Sequence, residues 1–344
     1  MNVVRKDECC VSPVAPLLVA LPPAKDQQPK MPFAPLTVYA MLAFCLLSWA
    51  SSYTAIKVAV VHFEPHHVAS LRFAVASLVL APFLAFAKPT MPSRGDLGRL
   101  LLYGASGIAV YNVLLCTAER GVNAGTASFI VGIAPIFAAV LAAVCLKEKL
   151  SAGGWIALAV AFVGAAMMSA GKTGGLCLSM EVLALLAAAV LSGISLTVQK
   201  SLLNRITPLA CTIYTVWAGT LLLLPFLPGA LCAASKAPTH AVLSVVYLGA
   251  VPVAIGYVFW SFVMKHTNVG RAAAFLYFVP ALAALQACVF LREVPSCWEV
   301  AGGAVIMLAV LGSSPASAGK LGAIRAAFRE SMRTKPMPPR EPWD

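Results

Sequence analysis

The chain has 344 residues, of which 60% are apolar and 11% charged, with a formal net charge of +12. Soluble proteins carry about 25% charged residues, so this composition excludes an ordinary soluble enzyme. The positive excess does not make a nucleic-acid face either, because its Lys and Arg residues sit in short clusters between apolar runs.

Residues 1–35 read as a disordered tail. Arg5 and Lys6 followed by VAPLLVALPPA imitate a signal peptide, but Pro13, Pro16, Pro22 and Pro23 spoil its apolar helix. Met31 stands as an alternative start. Apolar runs of about 20 residues, long enough to cross a hydrocarbon core of roughly 30 Å, then recur to the end of the chain. They predict helices over Leu36–Val60, His66–Ala87, Leu97–Ala118, Asn123–Leu146 and Ala152–Ala170. A second set follows over Met180–Leu203, Pro208–Leu227, Ala241–Lys265, Val269–Leu291 and Trp298–Gly312. Residues 313–344 form a basic tail in which AIRAAFRESMR suits a short amphipathic helix at a membrane surface.

The two sets repeat one another. With a shift of 145, Gly104 pairs with Gly249, Asn123 with Asn268, Gly125 with Gly270, Pro135 with Pro280 and Glu148 with Glu293. Upstream the shift is 143, pairing Lys57 with Lys200, Pro65 with Pro208 and Pro82-Phe83-Leu84 with Pro225-Phe226-Leu227. An odd number of spans per unit makes the second unit enter from the opposite face. The expected fold class is therefore all-α integral membrane, ten transmembrane helices as two inverted-topology five-helix repeats, residues 36–170 and 171–312. Outside the spans, 18 basic residues fall on the face of the two tails and four, Arg120, Lys172, Lys236 and Arg292, on the other. That asymmetry orients both termini to the cytoplasm of a cell-membrane protein.

Polar groups near mid-span select candidates for a substrate pathway. Trp49, Ser52, Tyr53 and Lys57 share one helical face, and Ser192, Ser195, Gln199 and Lys200 form the matching stripe in the second unit. For the serines taken singly, close helix packing is the competing reading. Pro135 and Pro280 each free a backbone carbonyl at mid-helix, for a hinge, a cavity or plain kinked packing. Asn112, its repeat mate Tyr257, Trp260 and Tyr277 complete the set. Arg72 lies seven residues beyond Pro65, about 10 Å into its helix, where an ionisable group marks a functional site unless it snorkels. Lys57, nearer a helix end, leans toward snorkelling; either cation facing a cavity would favour an anionic cargo group.

Glu64, Glu119, Glu148, Glu181, Glu293 and Glu299 all fall at helix ends or in loops, so no carboxylate is expected inside a span, which disfavours a small-multidrug type of proton antiport. His62, Glu64, His66 and His67 could meet a metal but read better as a polar loop. Cys177, Cys232 and Cys297 share the outer face and could pair there. Neither a phosphate-cradling loop nor a nucleophile paired with a base is present, and Gly153, Gly154, Gly302 and Gly303 suit helix packing. The sequence thus points to no enzyme, catalytic residue, cofactor or metal; the expected partners are a small-molecule cargo and the bilayer, with a homodimer left open.

The segments WASSYTAIKVA from Trp49, HHVASLRFAVASL from His66, NAGTASFIVGIAPIFAAVLA from Asn123 and LKEKLSAGGWIAL from Leu146 resemble the drug/metabolite transporter superfamily, EamA type, over Leu36 to Leu311. The resemblance implies two five-helix units around a cavity opened alternately to either face, and export of amino acids or related metabolites. It carries over Trp49, Lys57 and Arg72 in the first two helices and Pro135 and Pro280 as the mid-helix prolines. Thr215 stands opposite Arg72 and Ser192 opposite Trp49, so a two-fold symmetric site is not expected. The function expected is export of small polar metabolites by alternating access, with a cavity lined by the first, third, fourth, sixth, eighth and ninth helices. A drug or sugar-phosphate carrier and a non-transporting membrane scaffold are the alternatives.

Overall fold

The structure, a computed structural model, describes residues 35–87, 91–145, 152–173, 179–266, 275–276 and 278–313. No strand occurs among them. The helices are α1 (Pro35–Val60), α2 (Pro65–Ala87), α3 (Arg94–Glu119), α4 (Ala124–Val131 and Ala134–Cys145), α5 (Ala152–Thr173) and α6 (Met180–Leu203). They continue as α7 (Pro208–Lys236), α8 (Thr239–Lys265), α9 (Phe278–Leu291) and α10 (Cys297–Ser313). Six of them, α1, α2, α3, α6, α7 and α8, are long and apolar enough to cross a bilayer, and α4, α5, α9 and α10 contain shorter apolar stretches.

Local chemistry sets the ends. Pro35, Pro65 and Pro208 open their helices, where a missing N–H costs nothing. Thr207 and Ser179 accept hydrogen bonds from the Ala210 and Val182 amides at 3.3 and 3.4 Å, capping α7 and α6. Asp96 receives the Ser93 amide at 3.2 Å and the Ser93 hydroxyl at 2.6 Å at the start of α3, and Arg205 reaches it from beyond α6 at 3.6 Å.

Several helix limits differ from the sequence expectation; α3, for example, starts at Arg94 instead of Leu97. Helix α4 breaks at Gly132–Ile133 instead of running through, because Pro135 lacks the N–H that would reach back to Val131 and its ring crowds that carbonyl. Helix α7 does not stop at Leu227: Pro225 tightens one 3₁₀ turn, Leu224–Phe226, after which Pro228 seeds a further helical stretch to Lys236. Helix α5 runs on to Thr173. The tails, the expected start of the ninth helix and Tyr277 lie outside the described residues.

The sequence repeat reappears in local geometry. Helix α3 widens to π-helix over Gly104–Ala109, and α8 does so over Gly249–Ile255, the segment 145 residues later. Pro252 accounts for the second by excluding an α-helical hydrogen bond. Each π segment presses a glycine on a neighbour: a Cβ on Gly104 would lie 2.7 Å from the Gly219 amide nitrogen, and one on Gly249 would lie 2.4 Å from the Arg72 carbonyl. The Ser77 hydroxyl bonds the Thr220 hydroxyl at 2.8 Å, and these two residues are each other's repeat mates. Corresponding helices also meet as α4 with α9 and α5 with α10; a Cβ on Gly302 would lie 2.6 Å from the Gly164 carbonyl oxygen.

One continuous apolar core fills the interior, with Ile56, Phe63, Phe73, Leu80, Ile108, Ile130, Leu185, Leu202 and Ile213 among its fully buried members. The outside is apolar too: Leu36, Leu78, Phe290 and Leu308 are each at least 69% exposed. So large an apolar exterior would aggregate in water and suits lipid.

Candidate functional site

Between the two halves lies a cavity of about 170 Å³ whose walls come from α1 (Trp49, Ser52, Tyr53), α2 (Arg72), α3, α4, α6, α8 and the start of α9. Its volume suits a small metabolite, since drug-sized ligands occupy pockets of about 300–1,000 Å³. A larger hollow, about 330 Å³, lies near the starts of α4 and α10; Asn123 and Thr126 donate to Glu299 and the Ala124 amide donates to Glu293, which leaves mainly apolar walls.

The aromatic wall is a joint product of α1 and α8. Trp49 donates its indole N–H to the Pro252 carbonyl at 3.0 Å, which fixes the ring. Its edge then meets Tyr257 at 6.0 Å and Trp260 at 5.2 Å between centroids, both steeply tilted. Trp260 in turn donates to the Gln199 side-chain oxygen at 3.2 Å, and the Gln199 amide donates to Ser261 at 3.2 Å. Ser261 shares a hydrogen bond with Thr212 at 2.9 Å, and Thr212 donates to the Tyr257 carbonyl at 3.1 Å. A buried Gln is thereby held at both ends, and the chain of bonds ties α6, α7 and α8 together.

The serines satisfy themselves locally. Ser52 donates to the Trp49 carbonyl at 2.6 Å, Ser195 to Ser192 at 2.8 Å and Ser128 to Gly125 at 2.6 Å. Each hydroxyl oxygen keeps acceptor capacity toward the cavity. Small residues here also admit close packing: a Cβ on Gly107 would lie 2.6 Å from that of Ser195.

Arg72 is the charged member of the described lining and is 4% exposed. It donates one N–H to the Asn112 side-chain oxygen at 2.9 Å, while Asn112 donates back to Ile108 in its own helix at 2.8 Å. The guanidinium carbon lies 5.4 Å from the Phe73 ring centre. Its Nε has no hydrogen-bond partner among the described residues. A guanidinium carries five N–H donors in a planar fork, so Asn112 leaves donors free for a planar anion.

Trp49, Ser52, Tyr53, Arg72, Asn112, Pro135, Ser192, Ser195, Gln199, Tyr257, Trp260 and Pro280 all line this one cavity. Lys57 does not: its ammonium donates to the carbonyls of Glu119 and Val122 at 2.6 and 2.8 Å, capping the end of α3. The sequence reading missed Tyr103, Gly107, Tyr111 and Leu115, which line the cavity along α3. Their spacing of four residues was the available signal, and it leads on to Glu119.

Glu119 ends α3, as expected from the sequence, yet it is buried where a helix-end carboxylate would be expected to meet solvent. It is 0% exposed, within the span Arg94–Glu119, and both carboxyl oxygens lack hydrogen-bond partners among the described residues. Its neighbour Arg120 points the other way, pairing with Glu64 at 3.0 Å and donating to the Phe63 carbonyl. That guanidinium holds the exposed Glu64 carboxyl below its ordinary range. The other residues of the first loop scatter: His62 meets His240 at 3.2 Å between ring nitrogens, and His66 stacks against His67 and Phe226. Cys232 and Cys297 are free and exposed, and Cys177 lies outside the described residues.

Comparison with known proteins adds four findings. The EamA-like transporter family model matches residues 36–170 and 179–314. A protein of Streptantibioticus cattleyicolor named "Probable terminal-alkyne amino-acid exporter" is 37% identical over 78% of this chain and 91% of its own. A "Probable amino-acid metabolite efflux pump" of Salmonella typhimurium is 27% identical over 75% and 88%. Among solved structures, one crystal structure of a protein matches 84% of this chain and 99% of its own with a TM-score of 0.56 and 20% identity, a likeness of fold alone.

Proposed function

The chain belongs to the EamA-like transporter family, and we propose that it exports small amino-acid-type metabolites by alternating access of two five-helix units. The observation that carries the cargo class is Arg72, a buried guanidinium with free donors and the one charged residue among the described lining of a small cavity. Such a group favours one carboxylate, by charge and by bidentate geometry. A sugar phosphate carries more charge and would want a second cation, whereas the ammonium of Lys57 is engaged by two carbonyls. The aromatic wall of Trp49, Tyr257 and Trp260 would cover the cargo's apolar part. The names of the two relatives, both concerned with amino acids, agree with this cargo.

The ten-span inverted repeat is supported by the paired π segments and by the Ser77–Thr220 bond, since a residue meets its own repeat mate only at a two-fold axis. Both termini on the cytoplasmic side of the cell membrane follow from the distribution of basic residues. The test is flux of radiolabelled L-amino acids through proteoliposomes, with amino acids, sugar phosphates and lipophilic cations as competitors. Arg72→Met is expected to abolish flux and Arg72→Lys to lower it at least about tenfold, the loss of one bidentate pair. Competition by lipophilic cations but not by amino acids would overturn the assignment.

A further inference from the structure

Tyr103, Gly107, Tyr111 and Leu115 line the cavity at four-residue intervals along α3, and Glu119 is the next member of that series. A spacing of four drifts about 40° per step on an α-helix, so Glu119 turns from the cavity into the contact with α1 and α2. There it is fully buried, and neither carboxyl oxygen has a hydrogen-bond partner among the described residues.

The charged and titratable groups around it are identifiable. From α1 come Tyr53 and Lys57, from α2 Arg72, and from the turn after α9 Glu293. Tyr111 and Cys116 belong to its own helix, and Glu181 of α6 lies beside Gly121, two residues on. The nearer cation does not pair with the carboxyl among the described residues: Lys57 places two of its three donors on the Glu119 and Val122 carbonyls. An ionised carboxylate without a donor, taken out of water, costs several kcal/mol, and neither Lys57, held on two carbonyls, nor Arg72, held on Asn112, makes an ion pair with it among the described residues to offset that cost.

We propose that Glu119 is a proton-binding site of the transport cycle, holding a proton while the ends of α1, α3 and α4 are closed over it and releasing it to the outer solution when they part. The step is a proton transfer only: the carboxyl O–H breaks on opening, water outside takes the proton, and closure takes one back. Protonation then favours the closed outer end, and raising the outer pH favours opening. The dependence on transport rests on the cargo-carrier reading above, whereas the protonation state does not.

Three measurements separate the two. Infrared spectra of the purified protein at neutral pH should show the carbonyl stretch of a neutral carboxylic acid that Glu119→Gln removes and Glu119→Asp retains. An apolar carbodiimide, which attacks protonated carboxyls in apolar surroundings, should label Glu119 of the wild-type chain, as read by peptide mass, so the idea stands or falls even if a variant does not fold. In proteoliposomes carrying radiolabelled L-amino acids, wild-type flux should change several-fold between mildly acidic and mildly alkaline outer solution, and that dependence should vanish in Glu119→Gln. An unchanged infrared band in Glu119→Gln, no labelling of Glu119, or an unchanged pH profile in that variant would overturn the proposal. Absence of amino-acid flux in the wild type at every pH, with the band and labelling present, would instead overturn the cargo assignment.

Discussion

Lys57→Met separates a structural cation from a cargo-binding one. The ammonium makes two charge-assisted hydrogen bonds, 2.6 Å to the Glu119 carbonyl and 2.8 Å to the Val122 carbonyl. These are among the carbonyls that the end of α3 leaves without an intrahelical partner, and a cation there also complements the helix dipole. Each such bond contributes about 1.5–3 kcal/mol. Lys57 is only half-buried, so the freed carbonyls can recover part of this from water. Methionine keeps the length and apolar bulk of the stem while removing the donor. The expected loss is about 2–3 kcal/mol, which at about 2–4 °C per kcal/mol for a chain of this order is a fall of about 4–12 °C in the unfolding midpoint. Thermal unfolding in detergent, followed by helical circular dichroism, measures it, with L-amino-acid flux measured in parallel below the midpoint. The flux that remains per folded molecule should show wild-type affinity. An unchanged midpoint combined with a large loss of cargo affinity would refute the capping argument and return Lys57 to the pathway.

The same packing sets other expected outcomes. Gly249→Ala would place a methyl 2.4 Å from the Arg72 carbonyl and 2.7 Å from the Val75 Cβ, so it should destabilise by about 1–3 kcal/mol, whereas Gly95→Ala, whose nearest atom is the Ser93 hydroxyl at 3.8 Å, should be neutral or stabilising; thermal midpoints of the pair decide this. Glu293 lies outside the spans, where burial raises its carboxyl above the ordinary range against the opposing pull of the Ala124 amide. The folded state therefore holds that proton more tightly than the unfolded one, and stability from this group falls as pH rises from the ordinary carboxylate value, about 4.3, through the raised folded value. Glu293→Gln should flatten that part of the midpoint-against-pH curve; an identical slope in the variant would show that other groups carry it. Gln199→Leu would strip Trp260 of its acceptor and Ser261 of a donor, so the tryptophan emission should shift and amino-acid affinity should fall.

Much of the site was legible because helical periodicity fixes a face. Trp49, Ser52 and Tyr53 share one stripe, and Ser192, Ser195 and Gln199 share its repeat, so both sets reach the same cavity. Arg72 was legible from depth alone. Periodicity does not say what stands opposite a face, which is why Lys57, on the same stripe as Trp49, turns out to cap α3. Nor does it say how deeply a helix end is covered: Glu119 looked like a boundary residue, yet α1 and α2 bury it.

The amino-acid sequence by itself determined that the chain is built of apolar helices, because its long apolar runs satisfy their backbone hydrogen bonds internally as helices in a bilayer, and it carries an internal repeat, because shifts of 145 and 143 bring matching glycines, prolines and charges into register. Only the tertiary structure decided partners: the Trp49–Pro252 bond, the Gln199–Ser261–Thr212 chain, the Arg72–Asn112 pair and the Glu119 carboxyl, without a hydrogen-bond partner among the described residues, each join residues from different helices or depend on what those helices cover. Helix formation is a local matter of backbone hydrogen bonds and apolar length, whereas the fate of a polar group inside the bundle depends on which neighbour comes within about 3 Å, and that is set by packing across the whole chain.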